Sequence, residues 1–135
     1  MTYRILVVED NAMNRELLCD WLDAEGYDVR CATTLQEAHH ACESSVPHAV
    51  LLDVQLGPED GLQLAVWLRG RAGSRHVPII AVTAHAMVTD RQRILECGCN
   101  AWVPKPVDFT RLREQLRLWL AAPANADTLG PEAAS

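Results

Sequence analysis

The sequence contains a single lysine, Lys105, among 135 residues. With a formal net charge of −6, it lacks the clustered Lys and Arg that phosphate-backbone binding relies on, which argues against a nucleic-acid partner. Arg69, Arg71 and Arg75 do cluster, but among Gly70, Gly73 and Ser74 they read as a solvated turn after a helix. Also missing is any apolar run of the roughly eighteen residues that a membrane-spanning helix needs. The opening MTYRILVVED has no signal-peptide pattern. The expectation is a cytoplasmic protein with no membrane partner. The five cysteines (19, 31, 42, 97 and 99) include no CxxC pair. Cys19, Cys31 and Cys42 fall in predicted helix or strand, where cysteine packs as a small apolar residue. Cys97 and Cys99 flank Gly98 without the His or Cys partners a zinc site requires. All five are expected as reduced thiols.

What is present suits one domain. Hydrophobic residues make up 49% and charged ones 22%, which argues against disorder, and the length buries a core without metal or disulfide staples. Strand and helix patterns alternate along the chain. The run RILVV (4–8) is continuously apolar after its first residue, as in a strand covered on both faces. Met13, Leu17, Leu18, Trp21 and Leu22 follow at the spacing of one helical face, and Gly26 stops that helix. A short strand near 28–32 comes next. Thr34 with Glu37 forms a capping box for a helix through about Ser45. Then come HAVLLD (48–53), a helix from about Gly61 to Arg71, VPIIAVT (77–83), a helix over roughly 86–97 ending at Gly98, and AWVPK as the last strand. Asp108 is the expected N-cap of a final helix carrying Leu112, Leu116 and Leu120. Five βα units imply right-handed crossovers and a doubly wound α/β fold: a five-stranded parallel sheet flanked by five helices. The domain is expected over 1–121, and the Ala- and Pro-rich stretch 122–135 is expected to be a disordered tail.

In open parallel sheets, ligands bind at the carboxyl ends of the strands. Those ends deliver Glu9 and Asp10, Asp53, Thr83, and Lys105 followed by Pro106. Each has an ordinary structural alternative: Asp10 or Asp60 as a helix N-cap, Thr83 as a loop hydroxyl, Lys105 as a solvent charge. Independent caps and surface charges, however, have no reason to meet at the same edge of four strands. Adjacent acids at a strand end are costly unless a cation offsets them. Mg2+ prefers carboxylate oxygens and water, so Asp10 and Asp53 are read as direct ligands, with Glu9 holding a bound water. Asp53, at the centre of the sheet, can attack phosphorus. Lys105 would then pair with one phosphoryl oxygen, and the Thr83 hydroxyl would donate to another.

The segments VVEDN, LLDVQLGPEDG, IIAVTAHAM and VPKP resemble the signatures of the response-regulator receiver domain, the CheY-like superfamily with its flavodoxin-like (βα)5 fold, over about residues 3–121. The stretch from TAHAM through DRQRILECGCNAWVPKP is especially like single-domain regulators of the DivK type and the receivers of hybrid histidine kinases. The resemblance assigns Asp53 as phosphoacceptor and Glu9, Asp10 and Asp53 as the Mg2+ site, completed by the backbone carbonyl of Gln55. It places Thr83 and Lys105 on the phosphoryl group and makes the Lys105–Pro106 bond cis. It implies a histidine kinase or histidine phosphotransfer domain as donor. The implied output is protein contact through the fourth helix, fifth strand and fifth helix, with a downstream target or in a phosphorylation-dependent homodimer. No DNA-binding or enzymatic output segment is recognised; the only chemistry implied is the domain's own phosphorylation and dephosphorylation.

Three positions depart from the pattern or bear on tuning. Gly57 stands where the family has proline, with Pro58 next, and the turn toward Asp60 and Gly61 is expected to be preserved. Trp102 occupies the place of the family's rotameric switch; its alternative is a fixed indole packed at a partner surface. His85, like Gln55, lies where the family tunes phosphoryl lifetime. Two rivals remain: a phosphate-independent adaptor, and a haloacid-dehalogenase-type phosphatase, which needs an acid where this chain has Gln55. A flavin module is less favoured, because no Ser/Thr/Gly-rich phosphate loop follows the first strand.

Overall fold

The computed structural model describes residues 2–84 and 87–121; His85 and the stretch 122–135 lie outside them. Strands β1 (Arg4–Val8), β2 (Asp28–Ala32), β3 (Ala49–Asp53), β6 (Ile79–Thr83) and β7 (Ala101–Pro104) form one sheet in the order β2-β1-β3-β6-β7. Every pairing in that sheet is parallel. Helices α1 (Ala12–Ala24), α2 (Leu35–Ser44), α3 (Leu62–Arg69) and α4 (Val88–Glu96) connect the strands, and α5 (Phe109–Ala121) follows β7. The order reverses between β1 and β3, so the strand ends there open onto a crevice.

The period of two along each strand divides the core. Ile5, Val7, Leu51, Ile80 and Val103 face α1 and α5 through Leu18, Leu22, Leu112 and Leu116. Leu6, Val8, Val50, Leu52, Ile79 and Ala81 face α2, α3 and α4. Strands buried on both faces must be apolar throughout, which is why their runs show no alternation.

α1 departs from its expected face. Leu18 and Leu22 are fully buried, whereas Met13 and Leu17 are 78% and 54% exposed. The two pairs are each spaced i, i+4 but are offset by one residue, about 100° around the helix, so only one pair meets the sheet. At the start of α2, Thr34 Oγ1 accepts from Glu37 N at 3.1 Å. The returning arm of the capping box reaches one residue further back than expected: Glu37 Oε1 accepts from Thr33 N at 2.7 Å. Asp108 Oδ1 caps α5 by accepting from Arg111 N at 3.0 Å. Cys31, expected to pack as an apolar residue, is exposed on edge strand β2. Burial pushes the Cys99 thiol up to about 12, so it stays protonated.

Arg69 corrects the reading of the arginine cluster as solvated. From the last turn of α3 its guanidinium donates to the carbonyls of Gly98 (3.0 Å), Arg75 (3.0 Å) and Val77 (2.7 Å), and to Asn100 Oδ1 (2.8 Å). Asn100 Oδ1 also accepts from Ile79 N at 2.7 Å. One side chain thereby ties α3, the 70–78 connection, the end of α4 and the start of β6. Gly98 is needed twice over: its φ is +107°, and a Cβ there would lie 2.7 Å from Arg69 Cγ. Arg71 covers Trp67, with its guanidinium carbon 4.4 Å from the ring centre.

The segment after Asp53 forms a hairpin, β4 (Gln55–Leu56) against β5 (Glu59–Asp60), antiparallel with Gln55 opposite Asp60. Its two-residue turn is Gly57-Pro58, and Gly57 has φ +61°. A tight hairpin turn of the II′ kind requires glycine at its first central position, which proline's fixed negative φ forbids. The order Gly57 then Pro58 suits this turn. Glu59 Oε1 accepts from Leu35 N (3.0 Å) at the start of α2, and Asp60 pairs with Arg93 of α4. The hairpin is thus moored on both sides.

Candidate functional site

Glu9 and Asp53 are buried, 1% and 5% exposed, at the ends of neighbouring strands β1 and β3. Lys105, just beyond β7, reaches both: Nζ lies 3.0 Å from Glu9 Oε1 and 3.0 Å from Asp53 Oδ2. Asp53 Oδ1 accepts from Gln55 N at 3.1 Å, and Glu9 Oε2 from Asn11 N at 3.2 Å. Asp10 is exposed beside them. One oxygen from each of Glu9, Asp10 and Asp53 can lie within 4.8 Å of the others.

Charge counting shows what the cluster lacks. Three carboxylates against one ammonium leave a formal deficit of two positive charges. At an effective dielectric of about 20, two carboxylates at this separation repel by roughly 3 kcal/mol, and an ammonium at 3.0 Å attracts each by roughly 5. Lys105 therefore offsets the Glu9–Asp53 repulsion but leaves Asp10 unbalanced. Burial first, and then the adjoining Asp53, push the Glu9 carboxyl above its usual range, against the pull of Lys105. Burial pulls the Lys105 ammonium down, but Asp53 and Glu9 together outweigh it and raise it. Glu9 Oε1 is buried and, despite its ion pair, has no well-aligned hydrogen-bond donor. A cluster short of positive charge and an all-oxygen donor set fit a hard divalent cation.

Thr83 is buried at the end of β6, one residue beyond Val82, the register partner of Asp53. Its carbonyl accepts from Lys105 N at 2.8 Å. It lines a cleft of about 540 Å³ between the hairpin and α4, together with Gln55, Asp60, Asp90, Arg93 and Ile94. The Lys105–Pro106 bond is cis. The structure thus brings Glu9, Asp10, Asp53, Thr83 and Lys105 to one sheet edge. Trp102 sits elsewhere, on edge strand β7, with its ring under the guanidinium groups of Arg91 (4.8 Å) and Arg111 (4.5 Å).

Several supporting residues went unread in the sequence. Asn11, not Asp10, caps α1, accepting from Asn14 N at 2.9 Å; an Asx residue just before a helical run was the available signal. Arg15 donates to the carbonyl of Glu9 at 3.1 Å, pinning the acid pair's backbone. Gly61 lies so close to Asp53 that an added Cβ would stand 2.0 Å from the Asp53 carbonyl oxygen.

The model of the response regulator receiver domain matches residues 5–117. The chain belongs to that family. This receiver is 37% identical over 120 residues to the polar-differentiation response regulator DivK of Brucella ovis, covering 89% of this chain and 98% of that one. Among solved structures it resembles the receiver domain of a Pseudomonas aeruginosa sensor histidine kinase, which holds a magnesium ion in its active-site cleft. The TM-score is 0.82, with 32% identity and coverage of 90% and 99%. It also resembles the receiver domain of Saccharomyces cerevisiae Ssk1, solved in complex with the histidine phosphotransfer protein Ypd1: TM-score 0.82, 26% identity, coverage of 90% of each chain. The family is one of two-component signalling domains rather than classical enzymes. Among the described residues, no helix of the receiver is long and apolar enough to cross a membrane.

Proposed function

We propose that the receiver is a cytoplasmic, phosphorylation-controlled switch built on residues 1–121, in which Asp53 accepts a phosphoryl group from a phosphohistidine on a histidine kinase or phosphotransfer domain. The observation that carries this reading is the buried Glu9–Asp53 pair bridged by half-buried Lys105, with Asp10 exposed at its mouth. A carboxylate oxygen of Asp53 attacks phosphorus. An O–P bond forms as the donor's N–P bond breaks, and the bonding pair returns to the imidazole nitrogen, which is reprotonated. Lys105 pairs with one phosphoryl oxygen, and the Thr83 hydroxyl donates to another. Asp10, Asp53 and the Gln55 carbonyl would hold Mg2+, with Glu9 acting through water; the ion supplies neutralisation of the phosphoryl charge. Besides its own phosphorylation and dephosphorylation, the domain catalyses nothing.

The exposed Met13 and Leu17 lie on the helix that begins beside Asp10, which suits them to meet the apolar surface of a donor as its phosphohistidine enters. The new charge draws Thr83 inward, toward the phosphoryl group on Asp53. A pre-existing equilibrium of the face made by α4, β7 and α5 then shifts. The purified protein with Mg2+ and acetyl phosphate or beryllofluoride, followed by backbone amide NMR, should show changes that begin at Asp53 and extend to α4. Asp53→Asn should remain folded and form no acyl phosphate. A stable acyl phosphate on that variant refutes the site. Mg2+ binding without response to either reagent points instead to an adaptor that works unmodified.

A further inference from the structure

Two cysteines from different elements meet between α1 and the edge of the sheet. Cys31 lies on edge strand β2 as the register partner of Val7. Val7 belongs to the side of the sheet that α1 covers, and register partners share a side, so Cys31 projects toward α1 as well. Cys19, the residue after buried Leu18 on α1, packs against that same cluster. The two thiols come within hydrogen-bonding reach of each other. Cys31 is exposed and Cys19 is half-buried. Burial first, and then the neighbouring Cys31, push the Cys19 thiol up to about 12, against a smaller pull from Arg15. Cys19 is thus shielded and held protonated, while Cys31 faces solvent.

The other three cysteines are placed differently. Cys42 and Cys99 are buried. Cys97 and Cys99 are close in the chain, but the backbone N–H groups of Cys97, Gly98 and Cys99 all donate to carbonyls of α4, at 3.0, 3.0 and 3.2 Å. A bond between those two sulfurs would have to distort that helix cap.

Adjacent thiols suit either a soft metal or oxidation. A structural zinc takes four ligands, and among the described residues the converging ligand set is Glu9, Asp10 and Asp53, with no third group beside the two sulfurs. Oxidation needs only two. An accessible sulfur poised next to a second one that can resolve it is the arrangement of a redox-responsive pair. In a reducing compartment a disulfide of this kind is transient and answers to oxidant.

We propose that Cys19 and Cys31 form a reversible dithiol–disulfide pair, oxidised by a hydroperoxide, that braces α1 against β2. The Cys31 thiolate attacks the peroxide; an S–O bond forms, the O–O bond breaks and hydroxide leaves, taking up the proton that Cys31 released. The Cys19 sulfur then attacks the Cys31 sulfur. An S–S bond forms, the S–O bond breaks, and the Cys19 proton departs with the oxygen as water. Two thiols lose two electrons in all, and one hydrogen peroxide becomes two waters. A dithiol reverses the reaction by exchange. The brace joins two elements that hold the acid pair: the carbonyl of Ala32, next to Cys31, accepts from Glu9 N at 3.0 Å, and Arg15 of α1 donates to the Glu9 carbonyl at 3.1 Å. The proposal does not depend on phosphorylation of Asp53.

The test treats the reduced full chain with hydrogen peroxide, quenches it, alkylates the remaining thiols and maps the digest by mass spectrometry. The expected product is a monomer lighter by two hydrogens, with one cross-link joining Cys19 to Cys31 and the other three of the five cysteines alkylated. Its formation should be roughly tenfold or more faster than oxidation of Cys42, Cys97 or Cys99, and dithiothreitol should restore all five thiols. Cys19→Ser should stop at a sulfenic acid on Cys31, trapped by dimedone. The wild-type map decides the matter even if that variant fails to fold. A first cross-link between Cys97 and Cys99, a disulfide-linked dimer through Cys31, or sulfinic acid on Cys31 with Cys19 still open to alkylation would each overturn the proposal.

Discussion

Gly61→Ala sets two physical effects against each other at the phosphoacceptor. Gly61 has φ −58° and ψ −28°, ordinary helical values, so alanine is conformationally acceptable there. Restricting the unfolded chain would by itself stabilise by about 0.4–1 kcal/mol. Against this, the new Cβ would lie 2.0 Å from the Asp53 carbonyl oxygen, 3.0 Å from its carbon and 3.1 Å from the Val54 oxygen. All three are backbone atoms, and the first must retreat by more than 1 Å to reach ordinary contact. The turn is also closed by Gly61 N donating to Val54 O at 2.8 Å, which resists the shift. Overpacking of this kind costs about 1–3 kcal/mol, and losing glycine at an N-cap removes a few tenths more, so the steric effect wins. The expected net loss is ~2 kcal/mol, a Tm lower by roughly 8 °C at about 4 °C per kcal/mol. Displacing the nucleophile by about 1 Å should slow phosphorylation on the order of 100-fold. Thermal unfolding by circular dichroism and mass spectrometry of the acyl phosphate measure the two effects. Gly73→Ala is the control, since nothing lies within 4 Å of its Cβ. If Gly61→Ala matches that control in both assays, the close approach does not govern the site.

Other substitutions probe the rest of the frame. Lys105→Ala removes the cation shared by Glu9 and Asp53; phosphorylation should persist at a reduced rate while the amide changes at α4 disappear, and full transmission would refute its role. Arg69→Met strands the carbonyls of Gly98 and Val77. At about 1–3 kcal/mol per buried unpaired group, the expected loss is ~3 kcal/mol by urea unfolding, and a loss within 0.5 kcal/mol, as typical of solvated surface residues, would mean that water replaces the guanidinium. The Arg113 hydrogen bond holds the Glu25 carboxyl below its usual range against desolvation, with the Arg113 and Arg117 charges adding smaller pulls in the same direction. A lowered native pKa means that this stabilisation is complete above the unfolded value near 4.5 and is lost as pH falls through the native one. Arg113→Gln should therefore lower stability at pH 7 more than at pH 3; an equal change at both would rule out the ion pair as its source.

The architecture was legible because a strand buried on both faces must be apolar at every position: β1, β3 and β6 are such runs, and they and the edge strands β2 and β7 alternate with helical spacing. The acids, threonine and lysine were legible because they stand where those runs stop. Side chains whose roles depend on partners far along the chain were not. Arg69 sits in a Gly- and Ser-rich stretch that looks solvated, and its acceptors lie up to 31 residues away. Trp102 meets arginines from two different helices, which no local pattern announces. α1 carries two apolar stripes one residue apart, and periodicity does not say which of them faces the sheet. The hairpin is made of two-residue strands around a Gly-Pro turn, too short to register as an element.

The division between sheet edge and helix exteriors has a consequence for how such chains diversify. Glu9, Asp53 and Thr83 sit on buried strand ends, where a change disturbs either the core or the acids around it. Met13, Leu17, Val88, Arg91 and Leu95 face outward and support neither. Drift at these outward positions can redirect the domain to new interlocutors while its reaction stays intact. Insulation between parallel signalling lines in one cell then becomes a matter of a few surface side chains, open to rewiring by exchange of those positions alone.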